Sequence, residues 1–302
     1  MRSPAVRRND PDRVLDTLRA EPVRVIRPAR QSVPFVFASP HSGRLYPASF
    51  IERSRLNPIS LRRSEDAFVD ELFGAVVAFG APLVLARFPR AYLDANRAPG
   101  ELDAAMFDGA LPFAVDRSSP RVHAGLGIIP RVVREGVEIY REKLTPHEAE
   151  DRIQRFYRPY HARVERLVDE TRARFGVAIL VDCHSMPSCA AAPDVVLGDR
   201  LGLAAAPQVT YAAECAFAAQ GFRVARNAPY AGGHTTQLYG RPGTGAHALQ
   251  IEINRALYLD EERVERGPRF DDVRRRIGLA LRDLIALTGR QAQSAASRLA
   301  AE

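Results

Sequence analysis

Apolar runs that break off in polar, chemically capable residues punctuate this chain. Val33-Pro34-Phe35-Val36-Phe37-Ala38 gives way to Ser39-Pro40-His41-Ser42-Gly43. Val177-Ala178-Ile179-Leu180-Val181 gives way to Asp182-Cys183-His184-Ser185-Met186-Pro187. Continuous apolar runs with β-branched residues predict strands buried on both faces. Shorter strands are predicted over 82–86, 194–199 and 222–225. Over 247–255 the pattern alternates instead: Leu249, Ile251 and Ile253 share one face of a strand, Gln250, Glu252 and Asn254 the other.

Between the strands the period changes. Phe68, Leu72, Val76 and Phe79 recur at helical spacing and predict a helix over 61–79, with Glu65 and Asp66 in its N-terminal turn. Thr145, Pro146 and Glu148 form a capping-box start. The stripe Ile153, Phe156, Tyr160, Val164, Leu167, Thr171 and Phe175 extends it to one helix of about 30 residues, ~45 Å long. Further helices are predicted over 207–220 and 268–290. Residues 1–30 read as an N-terminal arm and 291–302 as a frayed tail. Loops fill 99–145, where Gly125 to Pro130 is placed over a site, and 227–245, which carries His234. Loops of this length in a compact domain are functional or disordered, and the Tyr and Thr content of 227–245 favours function. Alternating strands and helices without a repeat or a break in composition predict a single α/β domain over 1–302, its mostly parallel, mixed sheet flanked by helices.

Composition narrows the partners. The 302 residues carry a formal charge of +7, yet Lys143 is the only lysine and the arginines are scattered among Asp and Glu. A nucleic-acid binder concentrates its charge on one face or stretch, so no nucleic-acid partner is expected. The lysine scarcity argues against Walker-A and Schiff-base chemistry. No run is long enough to span a bilayer, and the first residues lack the apolar core of a secretory signal, so no membrane partner is expected. Cys183, Cys189 and Cys215 form no C-x-x-C pair, which fits a reducing cytoplasm.

In open α/β sheets, ligands bind beyond the carboxyl ends of the strands. A single histidine there is more often a polar turn than a ligand. Two such endings, at His41 and His184, shift that balance. Glu65 and Asp66 alone would complement a helix dipole, and Asn96-Arg97 alone reads equally as surface ion pairing or as an amide and guanidinium fork for a carboxylate. Glu252 stands out because a carboxylate in a central strand is costly unless paired or needed. Together, His41, Glu65 or Asp66, Asn96-Arg97, His184 and Glu252 supply the parts of metal-assisted amide hydrolysis. Two imidazoles and a carboxylate leave an open position on zinc, a second carboxylate moves the proton, and an arginine holds a substrate carboxylate. Serine chemistry fits poorly, because there is no G-x-S-x-G elbow and Ser42 and Ser185 directly follow a histidine. Cys183 points away from its neighbour His184, whereas Asp182 shares the histidine's face.

The segments Pro40-His41-Ser42-Gly43, Glu65-Asp66-Ala67-Phe68-Val69-Asp70, Asp94-Ala95-Asn96-Arg97, Asp182-Cys183-His184-Ser185 and Gly245-Ala246-His247-Ala248-Leu249-Gln250-Ile251-Glu252 resemble, in order, the N-formylglutamate amidohydrolase family. The likeness spans about 33–262 and implies a fold related to the zinc-dependent exopeptidases. It implies hydrolysis of N-formyl-L-glutamate to formate and L-glutamate, the last step of one histidine-degradation route. It also implies one Zn2+ per chain on His41, Asp66 (rather than Glu65) and His184, with Asn96 and Arg97 on substrate and Glu252 as general base. Asp182, Glu65 and His234 are the alternates or supports. The 227–245 loop follows only the family's general style, so another N-acyl amino acid deacylase or a zinc carboxypeptidase remains an open reading. A small-molecule-binding protein without catalysis is a third. The sequence does not indicate the oligomeric state.

Overall fold

Seven strands form one mixed sheet: β1 (Val23–Ile26), β2 (Phe35–Ser39), β3 (Leu83–Ala86), β4 (Ala178–Met186), β5 (Val195–Gly198), β6 (Val224–Arg226) and β7 (Ala246–Asn254). Their spatial order is β1-β3-β2-β4-β7-β5-β6. The centre β3-β2-β4-β7 is parallel, whereas β1 lies antiparallel to β3 and β5 antiparallel to β7. This computed structural model describes residues 12–116, 118–133, 136–189 and 191–299. The first eleven residues of the expected arm and the last three of the expected tail lie outside them.

The alternation along the strands sorts the core into two layers. Val36, Ala38, Leu180 and Ala248 pack with Phe156, Tyr160 and Val164 of the Arg158–Phe175 helix and its approach. Phe37, Val181, Leu249 and Ile251 pack on the other face with Phe217 of the Pro207–Ala219 helix and Ile277 and Leu281 of the Phe270–Leu299 helix. With helices on both faces, the parallel strands are buried on both sides, which is why they read as unbroken apolar runs. The architecture is the single α/β domain expected.

Several elements depart from the sequence pattern. The expected N-terminal arm contains a helix, Arg13–Ala20, and the edge strand β1. The helix expected over 61–79 is broken into Pro58–Arg62, Val69–Leu72 and a 3-10 turn over Gly74–Val77. Between the first two, Asp66 donates its backbone N–H to the His41 carbonyl at 3.0 Å. Phe68 then adopts φ 62°, a left-handed conformation that interrupts any helix. Asp66 is therefore placed by the loop after β2, not by a helix start. The helix expected from 145 to 175 begins on its capping box but passes through a π-helical turn, Ile153–Tyr157. Pro159 explains this, because a proline inside a helix removes one amide donor and crowds the preceding turn, and the wider turn accommodates it. The 227–245 segment is only partly loop and contains the short helix His234–Tyr239.

Two contacts join the Arg158–Phe175 region to the loop that follows β3. Arg152 lies 3.9 Å over the Tyr92 ring and donates to the Tyr92 carbonyl at 3.0 Å. His161 donates from Nε2 to the Ala95 carbonyl at 2.9 Å, and its Nδ1 faces the Tyr239 hydroxyl at 2.9 Å. Burial, chiefly, lowers the His161 pKa to about 4. The folded protein thus refuses a proton that the unfolded chain takes up below about pH 6.5. Stability should fall as pH drops from 6.5 towards 4. In urea unfolding between pH 7 and pH 5, wild type is expected to lose ~2 kcal/mol more than His161→Gln; equal losses would remove His161 as the cause. A second expectation concerns Gly43, where a Cβ would lie 2.2 Å from the Phe88 carbonyl oxygen. Both groups that would collide are backbone, so Gly43→Ala should cost ~1–3 kcal/mol of unfolding free energy, measured in the same way.

Candidate active site

The carboxyl ends of the parallel strands converge on Asp66. Its Oδ2 lies 3.2 Å from His41 Nδ1 and 3.0 Å from His184 Nδ1. One donor atom from each of these three buried residues lies within 4.8 Å of the other two. The far nitrogen of each imidazole meets a carboxylate: His41 Nε2 is 2.7 Å from Asp94 Oδ1, and His184 Nε2 is 2.8 Å from Asp182 Oδ2. A carboxylate there holds a proton on Nε2, so Nδ1 is the nitrogen that each ring would offer to a metal ion. Asp66 Oδ1 is engaged from the opposite side by Arg255 Nη2 at 2.9 Å, which leaves Oδ2 for the centre. Two imidazole nitrogens and one carboxylate oxygen, each oriented from behind, match the donor set of an open zinc site.

The electrostatics follow from the pairing. Burial by itself would raise Asp66, but hydrogen bonds from His184 and His41 hold it well below the ordinary carboxylate range. Asp94 is likewise held well below, with Arg97, His41 and Arg90 overcoming its burial. His184 is held well above the usual imidazole range, because Asp182, Asp66 and Glu252 outweigh the desolvation that acts to lower it. Glu252 differs. It sits opposite His184 in the β4–β7 register, and Gln250 Nε2 donates to its Oε1 at 2.8 Å. Burial pushes its pKa up to about 7, with His184 opposing and Asp66 reinforcing the rise. Unlike Asp66 and Asp94, this acid is poised near neutrality.

A cavity of about 540 Å³ opens over these groups. Asn96 and Arg97 line it, but both are also anchored. Asn96 Oδ1 accepts from Thr235 N at 2.8 Å and its Nδ2 donates to Asp182 at 3.2 Å. Arg97 donates to the carbonyls of Leu126 and Asn96 at 2.9 and 2.8 Å. Leu126 and Pro130, from the glycine-rich stretch, contribute to the cavity wall as anticipated.

His41, Asp66, Asp182, His184, Asn96, Arg97 and Glu252 are thus brought together. Glu65 is not: its carboxylate turns away to Arg62, at 3.1 and 3.3 Å. His234 is not either, since its Nε2 faces the Tyr157 hydroxyl at 2.9 Å. Cys183 belongs to the opposite core layer, where burial raises its thiol pKa well above the ordinary value. Three supporting residues were not singled out from the sequence: Asp94, Arg90, whose Nε donates to Asp94 at 3.0 Å, and Arg255. Asp94 alone left a trace, as an acid two residues before Asn96.

Comparison with known proteins identifies the family. The N-formylglutamate amidohydrolase family matches residues 33–259. N-formylglutamate deformylase of Pseudomonas aeruginosa is 29% identical over 245 residues, covering 77% of this chain and 85% of that protein. The enzyme of the same name from Pseudomonas putida is 29% identical over 242 residues, covering 76% and 83%. The crystal structure of N-formylglutamate amidohydrolase from Ralstonia eutropha superposes with a TM-score of 0.81 at 37% identity, covering 90% of this chain and 98% of that one. An Agrobacterium tumefaciens gene product shares the fold, with a TM-score of 0.62 at 19% identity over 90% of this chain and 98% of its own. The family match takes in every strand that holds a site residue, and the chain belongs to the N-formylglutamate amidohydrolase family.

Proposed function

We propose that this protein hydrolyses the amide bond of N-formyl-L-glutamate, giving formate and L-glutamate, and that it does so with one zinc ion held by His41, Asp66 and His184. The observation that carries the reading is the convergence of two imidazole Nδ1 atoms on Asp66 Oδ2 beside a buried glutamate of the next strand. The substrate comes from the relatives' names, deformylases and an amidohydrolase of N-formylglutamate.

Zinc at such a site supplies Lewis acidity, polarising the amide carbonyl and acidifying water. Everything else falls to the chain. Glu252, ionised, takes a proton from the attacking water and returns it to the departing amide nitrogen, so that the amine leaves neutral. Its pKa of about 7 suits both halves of that transfer. Asp94 and Asp182 keep the two rings in the tautomer that presents Nδ1. Asn96 and Arg97 receive the α-carboxylate, their side chains already fixed by Thr235 and Leu126. A glutamyl product and unpaired cysteines fit the proposed place in histidine degradation and in the cytoplasm.

Purified protein is expected to contain about one zinc per chain by elemental analysis. Protein that binds none, even after reconstitution, would sink the mechanism. Glu252→Gln should keep the metal and lose about 10³-fold in kcat, whereas His184→Ala should lose both metal and turnover. Undiminished hydrolysis by Glu252→Gln would remove it as the base. A panel of N-formyl and N-acetyl amino acids, read by released amine, tests the substrate; faster release from a neutral N-acetyl amino acid would point to a different deacylase.

A further inference from the structure

The cavity wall contains five arginines: Arg63, Arg90, Arg97, Arg121 and Arg255. Four have a carboxylate within reach. Arg90 bonds Asp94 at 3.0 Å, Arg97 lies 3.8 Å from Asp94, Arg121 lies 3.8 Å from Glu101, and Arg255 bonds Asp66 at 2.9 Å. Arg63 differs. Among the described residues no carboxylate pairs with it; its only side-chain hydrogen bond is a long one, Nη2 to the Glu262 carbonyl at 3.4 Å, and its Nε is buried without a partner. The nearby acids are already engaged: Glu65 accepts from Arg62, and Glu261 accepts from Ser188 N at 2.9 Å and faces Arg255 at 3.7 Å.

Its position is also defined. Arg63 caps the Pro58–Arg62 helix three residues before Asp66, and Arg255 donates to its carbonyl at 3.3 Å. Asn96 and Arg97 approach the same centre from a different segment, the loop after β3. A half-buried guanidinium that lines the cavity, pairs with no carboxylate among the described residues and makes a single long hydrogen bond keeps donors free for an anion. We propose that Arg63 binds the side-chain carboxylate of the substrate and thereby selects dianionic N-acyl amino acids over neutral ones. This rests on the reading of the site as an N-acyl amino acid hydrolase with the α-carboxylate at Asn96 and Arg97. It adds the residue that reads the side chain.

The test compares N-formyl-L-glutamate with its neutral isostere N-formyl-L-glutamine, for wild type, Arg63→Gln and Arg63→Lys, each zinc-loaded and assayed for metal content. Loss of a charge-assisted contact should lower kcat/KM for the glutamate substrate on the order of 10- to 100-fold in Arg63→Gln. The glutamine substrate should change less than about threefold, and Arg63→Lys should recover part of the loss. Equal losses on both substrates, or none on either, would overturn the proposal. Calorimetric binding of L-glutamate and L-glutamine to the same proteins separates it from the activity. If wild type hydrolyses neither substrate yet binds glutamate more tightly in an Arg63-dependent way, the reaction falls and the receptor stands. If wild type does not distinguish the two amino acids, the receptor falls whatever the turnover.

Discussion

A carboxylate with no exposed surface has to be matched on every side, and Asp66 is matched by Arg255 behind and by two imidazoles in front. Burying such a charge unpaired is prohibitive, and removing one partner from a buried pair typically costs ~3–5 kcal/mol. Much of the architecture follows from that demand. His41 must leave β2 at a tight turn, His184 must lie on the same sheet face as Asp182, and Arg255 must return from the end of β7. The segment before Asp66 gives up its helix so that the backbone amide can reach the His41 carbonyl. Local preference yields to the electrostatics of one residue.

The same residue shows how far sequence reasoning carries. The central strands β2, β4 and β7, the two histidines and Glu252 were legible because they combine a strong period with a change of chemistry along the strand or at its end, whereas the edge strand β1 was not. The face that Glu252 shares with Gln250 was implicit in the alternation with Leu249, Ile251 and Ile253, whereas the register that sets it opposite His184 came from the folded sheet. The interruption of the 61–79 helix was not legible, since Phe68, Leu72, Val76 and Phe79 keep helical spacing although φ at Phe68 is positive. The turn at Pro159 carried a visible sign, a proline inside an apolar stripe.

What escaped is of one kind. Arg90 and Arg255 act through contacts made by distant segments, and in a chain with abundant arginine neither stands out. Asn96 and Arg97 read equally as surface ion pairing or as a fork for a carboxylate, yet Thr235 and Leu126 hold them from a short helix and a loop that the sequence left undefined. Residues that present chemistry leave local patterns. Residues that hold chemistry in place are recognisable once the chain has folded around them.

The direct pairing of His184 with Glu252 across β4 and β7 has a consequence for how this enzyme scaffold can change. Their separation is set by the interstrand spacing of a parallel sheet, about 4.8 Å, and not by any loop. Arg63 and Tyr230, in contrast, reach the cavity from connecting segments. The His184–Glu252 spacing and the cavity rim are therefore built on separable parts of the chain. Under the proposed reading, substitutions in those segments can re-aim specificity while the sheet keeps the distance between His184 and Glu252, so this architecture offers one reaction centre with an interchangeable rim.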